Sequence, residues 1–457
     1  MPNRIHLDYI GQRNEASTMG NSWIDYCEPP RPRPPGIDWD VFISYRSLDR
    51  LWSIALYDML TQCGYKVFLD QFVLVPGQGL TSQLGHNLQR SASGVLLWSE
   101  RAEDSKWVEK ELDLLSTKQT NSISSDFPFN FVVASLDGRE PPGLMAGQLY
   151  VDFSAYPDGP MGSDLVRLTC GLQSKPLSPD AVRQVVAFDA TLQSEPPRLR
   201  AMAKAGLYTK IQERLKSNDP AYTTSSQLAA LAIDLLIHGK HNKEAIETCQ
   251  SMIQRFPGSI RLKQLQGLAL RREKRLEEAS YELNLLLENS QGDTETLGIL
   301  AAVWADLWEK RKGEGDQAGA RDALERSQQL YAEGFKKVPT DTYTGINAAS
   351  KAALLGDGPK AAELAGKVLE RLNEQAAGRG GEPSKDYWER VTEPEALLLQ
   401  GDAERALELY HAARVAHQQE SGSIASTATQ LQRLLGVLSL PPEIKNQLAA
   451  EFQLQLE

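Results

Sequence analysis

Cysteine is scarce in this sequence, with four residues in 457, and they are widely separated and form no CxxC pair. Such spacing argues against both a disulfide framework and a thiolate zinc site, and it fits a reducing cytoplasm. Long hydrophobic runs are missing too. The longest candidate, residues 297–307, contains Asp306 and is much shorter than the roughly 20 residues that span a bilayer. The sequence therefore predicts neither a disulfide-rich secreted protein nor a membrane-spanning one.

The chain also lacks an excess of basic residues. Lys and Arg total 49 against 60 for Asp and Glu, which gives a formal net charge of −11 at pH 7, and no dense basic block offsets it. Charge alone therefore does not predict capture of nucleic acid or of an anionic membrane. The first residues carry Asp8 and Glu15 where the apolar core of a signal peptide would lie, so no export signal is predicted.

The remaining composition, 41% hydrophobic and 24% charged residues, is typical of a globular protein, and the length predicts two or three domains. Residues 1–36 show little periodicity and end in a proline-rich run at 28–36, which favours an extended conformation. We expect a tail and semi-rigid spacer in this part of the chain. A ligand for a proline-recognising domain is the alternative.

Alternating strand and helix signals fill residues 37–173. The strand candidates are residues 41–45, 64–69, 94–98, 129–134 and 150–153, and the helix candidates are residues 51–63, 80–90, 106–117 and 164–172. Alternation of strand and helix at this spacing predicts an open parallel sheet with helices on both faces.

After this domain the strand signals stop, and we expect a linker over 174–198 followed by a helical domain over 199–457. A step of 34 residues recurs in the helical domain and separates, for example, Ala245 from Ala279. Small residues at such positions let antiparallel helices approach closely, and the pattern resembles the tetratricopeptide repeat. The fold class predicted for the chain is therefore α/β plus all-α, with an α-solenoid of helix pairs after the sheet domain.

Part of the helical domain, residues 304–349, also resembles the helical region of apoptosis signal-regulating kinases and their bacterial relatives. Three short motifs carry this resemblance: Leu307-Trp308-Glu309-Lys310, Tyr331 with Gly334-Phe335, and Thr344-Gly345-Ile346-Asn347-Ala348. A repeat domain that senses or binds something is therefore expected.

Three motifs in the α/β domain occur in an order that points to one family. They are Trp39-Asp40-Val41-Phe42-Ile43-Ser44-Tyr45-Arg46, then Phe68-Leu69-Asp70 with Pro76-Gly77, then Ser105-x-Trp107-x-x-x-Glu111-Leu112. On this pattern of strands and helices, residues 38–172 resemble the Toll/interleukin-1 receptor (TIR) domain. The resemblance implies a flavodoxin-like open sheet of parallel strands.

TIR adaptors bind other TIR domains, whereas TIR enzymes cleave NAD+ and carry a glutamate on the third helix. Glu111 matches that glutamate, and Trp107 precedes it by four residues, so a helix would place both on one face. The resemblance implies that Glu111 is catalytic. A carboxylate suits the reaction, because nicotinamide leaves as a neutral group and positive charge develops on an oxocarbenium-like ribose. The alternative is a solvated helix face, since Glu109 and Asp113 flank Glu111.

The resemblance also implies a binding site for NAD+ as substrate, with no separate cofactor. The residues expected to line it are Tyr45, Arg46, Ser47, Val75 and Trp107. Arg46 could bind the diphosphate, because a planar guanidinium matches phosphate oxygens, or it could pair with Asp49 or Asp70. His238 and His241 have no carboxylate at metal-ligand spacing, and no metal is expected.

We therefore expect a cytoplasmic NAD+ glycohydrolase of the TIR type that releases nicotinamide and ADP-ribose or a cyclic isomer. The family resemblance implies activation by self-association through TIR domains. The repeats would then sense an unidentified protein, peptide or small-molecule trigger in a bacterial immune or stress response, such as antiviral defence. The alternative is a non-catalytic scaffold that assembles signalling partners through TIR–TIR and repeat–peptide contacts. Neither nucleic acid nor a membrane is an expected partner.

Overall fold

The fold is seen in a computed structural model of the chain. It describes residues 22–46, 49–69, 80–100, 106–141, 150–217, 219–290, 293–378, 384 and 386–455. Within these ranges an α/β domain comes first and a long series of helices follows. No helix in the described ranges combines the length and the apolar character that crossing a membrane requires.

The α/β domain is built on a single parallel sheet. Its strands are β1 (Trp39–Ser44), β2 (Val67–Leu69), β3 (Ser91–Trp98), β4 (Asn130–Ser135) and β5 (Val151–Asp152). Their order in the sheet is β2-β1-β3-β4-β5, and every neighbouring pair is parallel. The inner strands are buried along most of their length, as expected when helices cover both faces. The sheet that the sequence predicts is thus confirmed.

The described helices that cover this sheet are α1 (Arg50–Gln62), α2 (Leu80–Gln89), α3 (Lys106–Ser122) and α4 (Gly162–Leu172). Successive strand residues point to opposite faces. Val41 and Ile43 belong to the core that α1 and α4 complete, whereas Phe42 belongs to a second core that α2 and α3 complete. Helices α1 and α3, which follow the adjacent strands β1 and β3, therefore lie on opposite faces.

The chain before the sheet differs from the spacer that its prolines predict. Residues 22–36 pack onto the α/β domain, and Trp23, in a 3₁₀ helix over Trp23–Tyr26, is completely buried. The Arg31 guanidinium donates to the carbonyl of Pro128 at 2.6 Å and stacks 3.7 Å from the centre of the Phe127 ring. The hydroxyl of Tyr65 also donates to the carbonyl of Glu28 at 2.6 Å, so side-chain contacts rather than ladder hydrogen bonds hold this segment in place.

The segment 174–198, for which the sequence predicts a linker, also has a different structure. Most of it belongs to helix α5 (Pro179–Lys204), which starts at the N-cap Ser178 and continues through Pro196 and Pro197. Val185, Leu192 and Leu199 recur every seven residues and are completely buried. This apolar face stabilises the helix, so the missing N–H donors of the two prolines do not end it.

The helices that follow form a stack of antiparallel pairs, which confirms the predicted solenoid. They are α6 (Tyr208–Lys216), α7 (Pro220–Thr224), α8 (Ser226–His238), α9 (Asn242–Arg255), α10 (Ile260–Arg272), α11 (Leu276–Ser290), α12 (Thr294–Gly313), α13 (Gln317–Lys337), α14 (Thr342–Leu354), α15 (Gly358–Gly378), α16 (Tyr387–Gln400), α17 (Ala403–Ala416), α18 (Ser421–Leu435) and α19 (Pro442–Glu451). Ala245 and Ala279, one repeat apart, are both completely buried. Helices α12 and α13 are 20 and 21 residues long, whereas the helices of the two preceding pairs have 13 to 15 residues.

Candidate functional site

The order of the strands reverses at β1 and β3, and this pair marks where an open α/β sheet binds ligands. Strand β2 lies on one side of β1, and the chain then crosses back to form β3 on the other side. In an open α/β sheet, a crevice is expected at the carboxyl ends of two neighbouring strands whose following helices lie on opposite faces, as α1 and α3 do after β1 and β3. The predicted site residues of the first motif follow β1 directly.

Tyr45 and Arg46 lie at this carboxyl edge, as the sequence predicts. Tyr45 is buried and belongs to the core shared with α1, whereas Arg46 is half-buried. The carbonyl of Arg46 accepts the N–H of Asp49, the residue before α1, at 2.8 Å. This hydrogen bond ties the end of β1 to the start of α1.

A buried hydrogen bond joins the loop after β1 to the residue after β3. Asp49 holds the N-cap position of α1, but its side chain makes no capping hydrogen bond there. It accepts the hydroxyl hydrogen of Ser99 at 2.8 Å instead, and both residues are about 95% buried, with 6% and 5% of their surfaces exposed. Asp at an N-cap ordinarily bonds to its own helix, so this geometry uses the carboxylate to tie the two loops of the crevice together.

The next loop is tied to the same edge. The N–H of Glu100 donates to the carboxylate of Asp137 at 2.7 Å, and the Glu100 side chain forms an ion pair with Arg139 at 3.1 Å. The loops after β1, β3 and β4 are therefore linked in sequence along the carboxyl edge of the sheet.

Helix α3 carries positions 107 and 111 in its first two turns. Its later part is anchored firmly: Leu115 is completely buried, and a Cβ added at Gly94 would lie only 2.9 Å from it. The ammonium of Lys118 donates to the carbonyl of Ser91 at 2.7 Å. Position 111 is one turn before Leu115 on the same side of the helix. Asp113, two positions further along the helix, is exposed.

Several of the residues singled out in the sequence lie outside what the structure describes. They are Ser47, Asp70 and Val75, together with the side chains of Trp107 and Glu111. Their roles stay predictions. Within the described residues, no group of three or more His, Cys, Asp or Glu side chains could hold a metal ion.

The parallel sheet with its crevice at β1 and β3, followed by stacked helix pairs, defines an α/β domain joined to a helical repeat domain. Residues 41–165 match the family profile of the TIR domain, and residues 241–355 match the family described as Tetratricopeptide Repeats-Sensor, TPR-S. The chain therefore contains a TIR domain and, after it, a TPR-S repeat region.

Three relatives show what the chain is similar to. It is 33% identical over 79 residues to a probable 2′ cyclic ADP-D-ribose synthase, BdTIR, of Brachypodium distachyon, covering 17% of this chain and 35% of that protein. It is 31% identical over 83 residues to the NAD(+) hydrolase TcpA of Theionarchaea archaeon (strain DG-70-1), covering 18% and 25%. It is 26% identical over 117 residues to the 2′ cyclic ADP-D-ribose synthase BtTIR of Bacteroides thetaiotaomicron, covering 25% and 39%. The chain thus spans well under half the length of each.

The sequence did not reveal the pairing of Asp49 with Ser99. An aspartate directly before a helix predicts a local cap, and nothing in its spacing indicates a partner 50 residues away. The useful signal would have been the position of Ser99 immediately after β3, because adjacent parallel strands bring their carboxyl ends together.

Proposed function

We propose that this protein is an NAD+ glycohydrolase of the TIR type, which releases nicotinamide together with ADP-ribose or a cyclic isomer. The observation that carries the proposal is the similarity to an NAD(+) hydrolase and to two 2′ cyclic ADP-D-ribose synthases, from three unrelated organisms. The crevice at the carboxyl ends of β1 and β3 supports it, since a dinucleotide can bind where such a sheet reverses its strand order.

The chemistry assigns a role to each site residue. Cleavage of the bond between ribose and nicotinamide needs no general acid, because the leaving group is neutral. The Glu111 carboxylate stabilises the positive charge that develops on the ribose, and it does so more strongly in the transition state than in the ground state. Arg46, in the turn after β1, binds the diphosphate. Tyr45, Ser47, Val75 and Trp107 complete the walls of the site.

The repeat region and self-association regulate this activity in our proposal. Two TIR domains together complete an active site, so that a dispersed chain turns over little NAD+. The repeats receive a protein, peptide or small-molecule trigger and favour the assembled form, which requires that the trigger bind that form more tightly. A role in an immune or stress response would follow, because an activated enzyme of this kind depletes NAD+.

Product analysis tests the proposal directly. Purified full-length protein, dispersed and clustered on a surface, is incubated with NAD+, and nicotinamide, ADP-ribose and its cyclic isomers are separated by mass spectrometry. We expect Glu111→Gln to lower the rate by about 100-fold or more, because it removes the stabilising charge while it keeps the size of the side chain. Asp113→Asn, on an exposed position of the same helix, is the matched control and should keep full activity.

Two outcomes contradict the proposal. Full activity in Glu111→Gln would assign the chemistry to another group. An absence of nicotinamide release from wild-type protein, even when clustered, would favour the non-catalytic scaffold. A fall in melting temperature of Glu111→Gln would instead show a structural role for the residue.

A further inference from the structure

Helix α1, which follows the first loop of the site, lies across the edge of the repeat domain. We call this contact the α1 junction: it comprises Arg50, Ala55, Asp58 and Met59 of α1 and the amino-terminal ends of α8, α10, α12 and α14. At α8 the amide of Gln227 donates to the carbonyl of Ala55 at 3.1 Å, and the amide is buried. The hydroxyl of Ser226 donates to the Met59 sulfur at 3.5 Å. One face of α1 is therefore committed to the repeats.

Asp58 binds the amino terminus of α10. Its carboxylate accepts the hydroxyl of Ser259 at 2.7 Å and the N–H groups of Ile260 and Arg261 at 2.9 and 3.2 Å. The first N–H groups of a helix have no partner within the helix and carry partial positive charge, so a carboxylate at this place satisfies both. With 4% of Asp58 exposed, the contact excludes water.

Arg50 reaches two further repeats from the first turn of α1. Its guanidinium forms an ion pair with Asp341, the N-cap of α14, at 3.0 Å, and it donates to the hydroxyl of Thr294 at the start of α12. The Arg50 and Asp341 side chains are 19% and 10% exposed, so the ion pair is screened far less than a surface pair. Arg50 thus bridges two successive helix pairs of the solenoid.

The residue next to Arg50 belongs to the site. Asp49 receives the buried hydrogen bond of Ser99, and its N–H binds the carbonyl of Arg46. Asp49 therefore holds the loops that flank the crevice, and Arg50, the next residue, holds the amino termini of α12 and α14. We propose that Arg50 is a positioning residue, which couples the arrangement of the repeats to the loops of the NAD+ site through Asp49 and Ser99.

This inference rests on the proposed function, because the site that Arg50 positions is the proposed NAD+ site. Arg50 and Asp49 are consecutive in the chain, so the contacts of one restrict the position of the other. Each helix pair in a solenoid contacts only its neighbours, so a ligand that changes the spacing of α12 and α14 must move or break the contacts of Arg50. The contacts of Asp49, the preceding residue, then change with it: its N–H bond to the carbonyl of Arg46 and the hydrogen bond that its carboxylate accepts from Ser99.

The test compares full-length variants by amide hydrogen exchange and by steady-state kinetics under clustering conditions. Arg50→Ala removes the bridge, and Asp341→Asn removes the ion pair while asparagine still serves as an N-cap. Arg200→Ala is the matched control, because Arg200 on α5 also joins a helix outside the TIR domain to that domain, through an ion pair with Asp158. Arg50→Lys tests rescue.

We expect Arg50→Ala to speed exchange in residues 96–100 by about tenfold and to lower kcat about tenfold with a smaller change in KM. Asp341→Asn should give part of both effects, and the double variant should not exceed Arg50→Ala, since both act through one contact. Arg50→Lys should restore most of kcat, and Arg200→Ala should change neither readout.

The inference is overturned if exchange in residues 96–100 is the same in Arg50→Ala as in wild type, or if the effects of Arg50→Ala and Asp341→Asn simply add. Exchange is measured without substrate, so it decides the inference even if wild-type protein releases no nicotinamide, an outcome that would contradict only the proposed function.

Discussion

Among single residues, Asp58 shows how the α1 junction depends on protonation. Burial raises the pKa of this carboxyl group to about 6, although the Ser259 hydroxyl and the N–H groups of Ile260 and Arg261 act in the opposite direction. The folded protein therefore holds a proton on Asp58 between about pH 4 and pH 6, where the same group in the unfolded chain has already lost it. Over this range the folded state loses stability as the pH rises, and above pH 6 the loss is complete.

We expect Asp58→Asn to abolish this contribution. Relative to the asparagine variant, wild-type protein should lose on the order of 2–3 kcal/mol of unfolding free energy between pH 4 and pH 7. Urea unfolding of both proteins at half-unit pH intervals measures the difference, and other titrating groups cancel because they are common to both. Parallel curves for the two proteins would show that Asp58 does not titrate in this range.

Local sequence could predict Tyr45 and Arg46 at the carboxyl edge, because a short apolar run fixes where β1 ends. It could not predict the role of Asp58, whose partner Ser259 lies 201 residues further along the chain. From local sequence alone, an aspartate within a helix such as Asp58 is expected to face solvent. Asp58 is buried only because the TIR domain and the repeat domain pack against each other.

Among the elements, the helix pairs show why small residues recur at the repeat spacing. A Cβ added at Gly267 in α10 would lie 2.6 Å from the side chain of Leu283 in α11, whereas one added at Gly298 in α12 would meet nothing within 4 Å. Close approach of the paired helices thus demands glycine at the first position, while the second has no such demand.

These two glycines give a matched prediction. Gly298→Ala should stabilise the protein by up to about 1 kcal/mol, because alanine has the higher helix propensity. Gly267→Ala should destabilise it by about 1–3 kcal/mol, because overpacking exceeds the same gain in propensity. Thermal unfolding of both variants measures the sign, and stabilisation by Gly267→Ala would contradict the close contact of α10 with α11.

The strands and helices also show which elements local sequence patterns could predict. Strand and helix alternation and the 34-residue step come from local periodicity, so the sheet and the solenoid could be predicted. The packed segment 22–36 and helix α5 could not, because prolines dominate their local signal. Their structure depends instead on buried side chains such as Trp23 and Leu192, which find partners only in the folded domain.

For the whole molecule, the α1 junction restricts which faces of the TIR domain are open to a partner. The face of α1 that contacts the repeats is buried within one chain, so self-association of the folded protein must use other faces of the TIR domain.

We expect the rate of NAD+ cleavage per molecule to rise with protein concentration and with fusion to a multimeric partner. Kinetics from nanomolar to tens of micromolar protein, with sedimentation in parallel, test this. A constant rate per molecule would indicate a site complete in the monomer.

The α1 junction also has an evolutionary consequence. A TIR domain joined to its repeats only by a flexible tether could be exchanged freely among proteins by recombination, but this one would leave Asp58 buried without a partner on any repeat lacking a matching helix terminus. The TIR domain and the repeat domain should therefore be inherited together. Across homologues, we expect residue 50 to covary with residue 341 and residue 58 with residue 259. This covariation should be stronger than that between two residues of the TIR domain, or two of the repeats, that lie equally far apart in space.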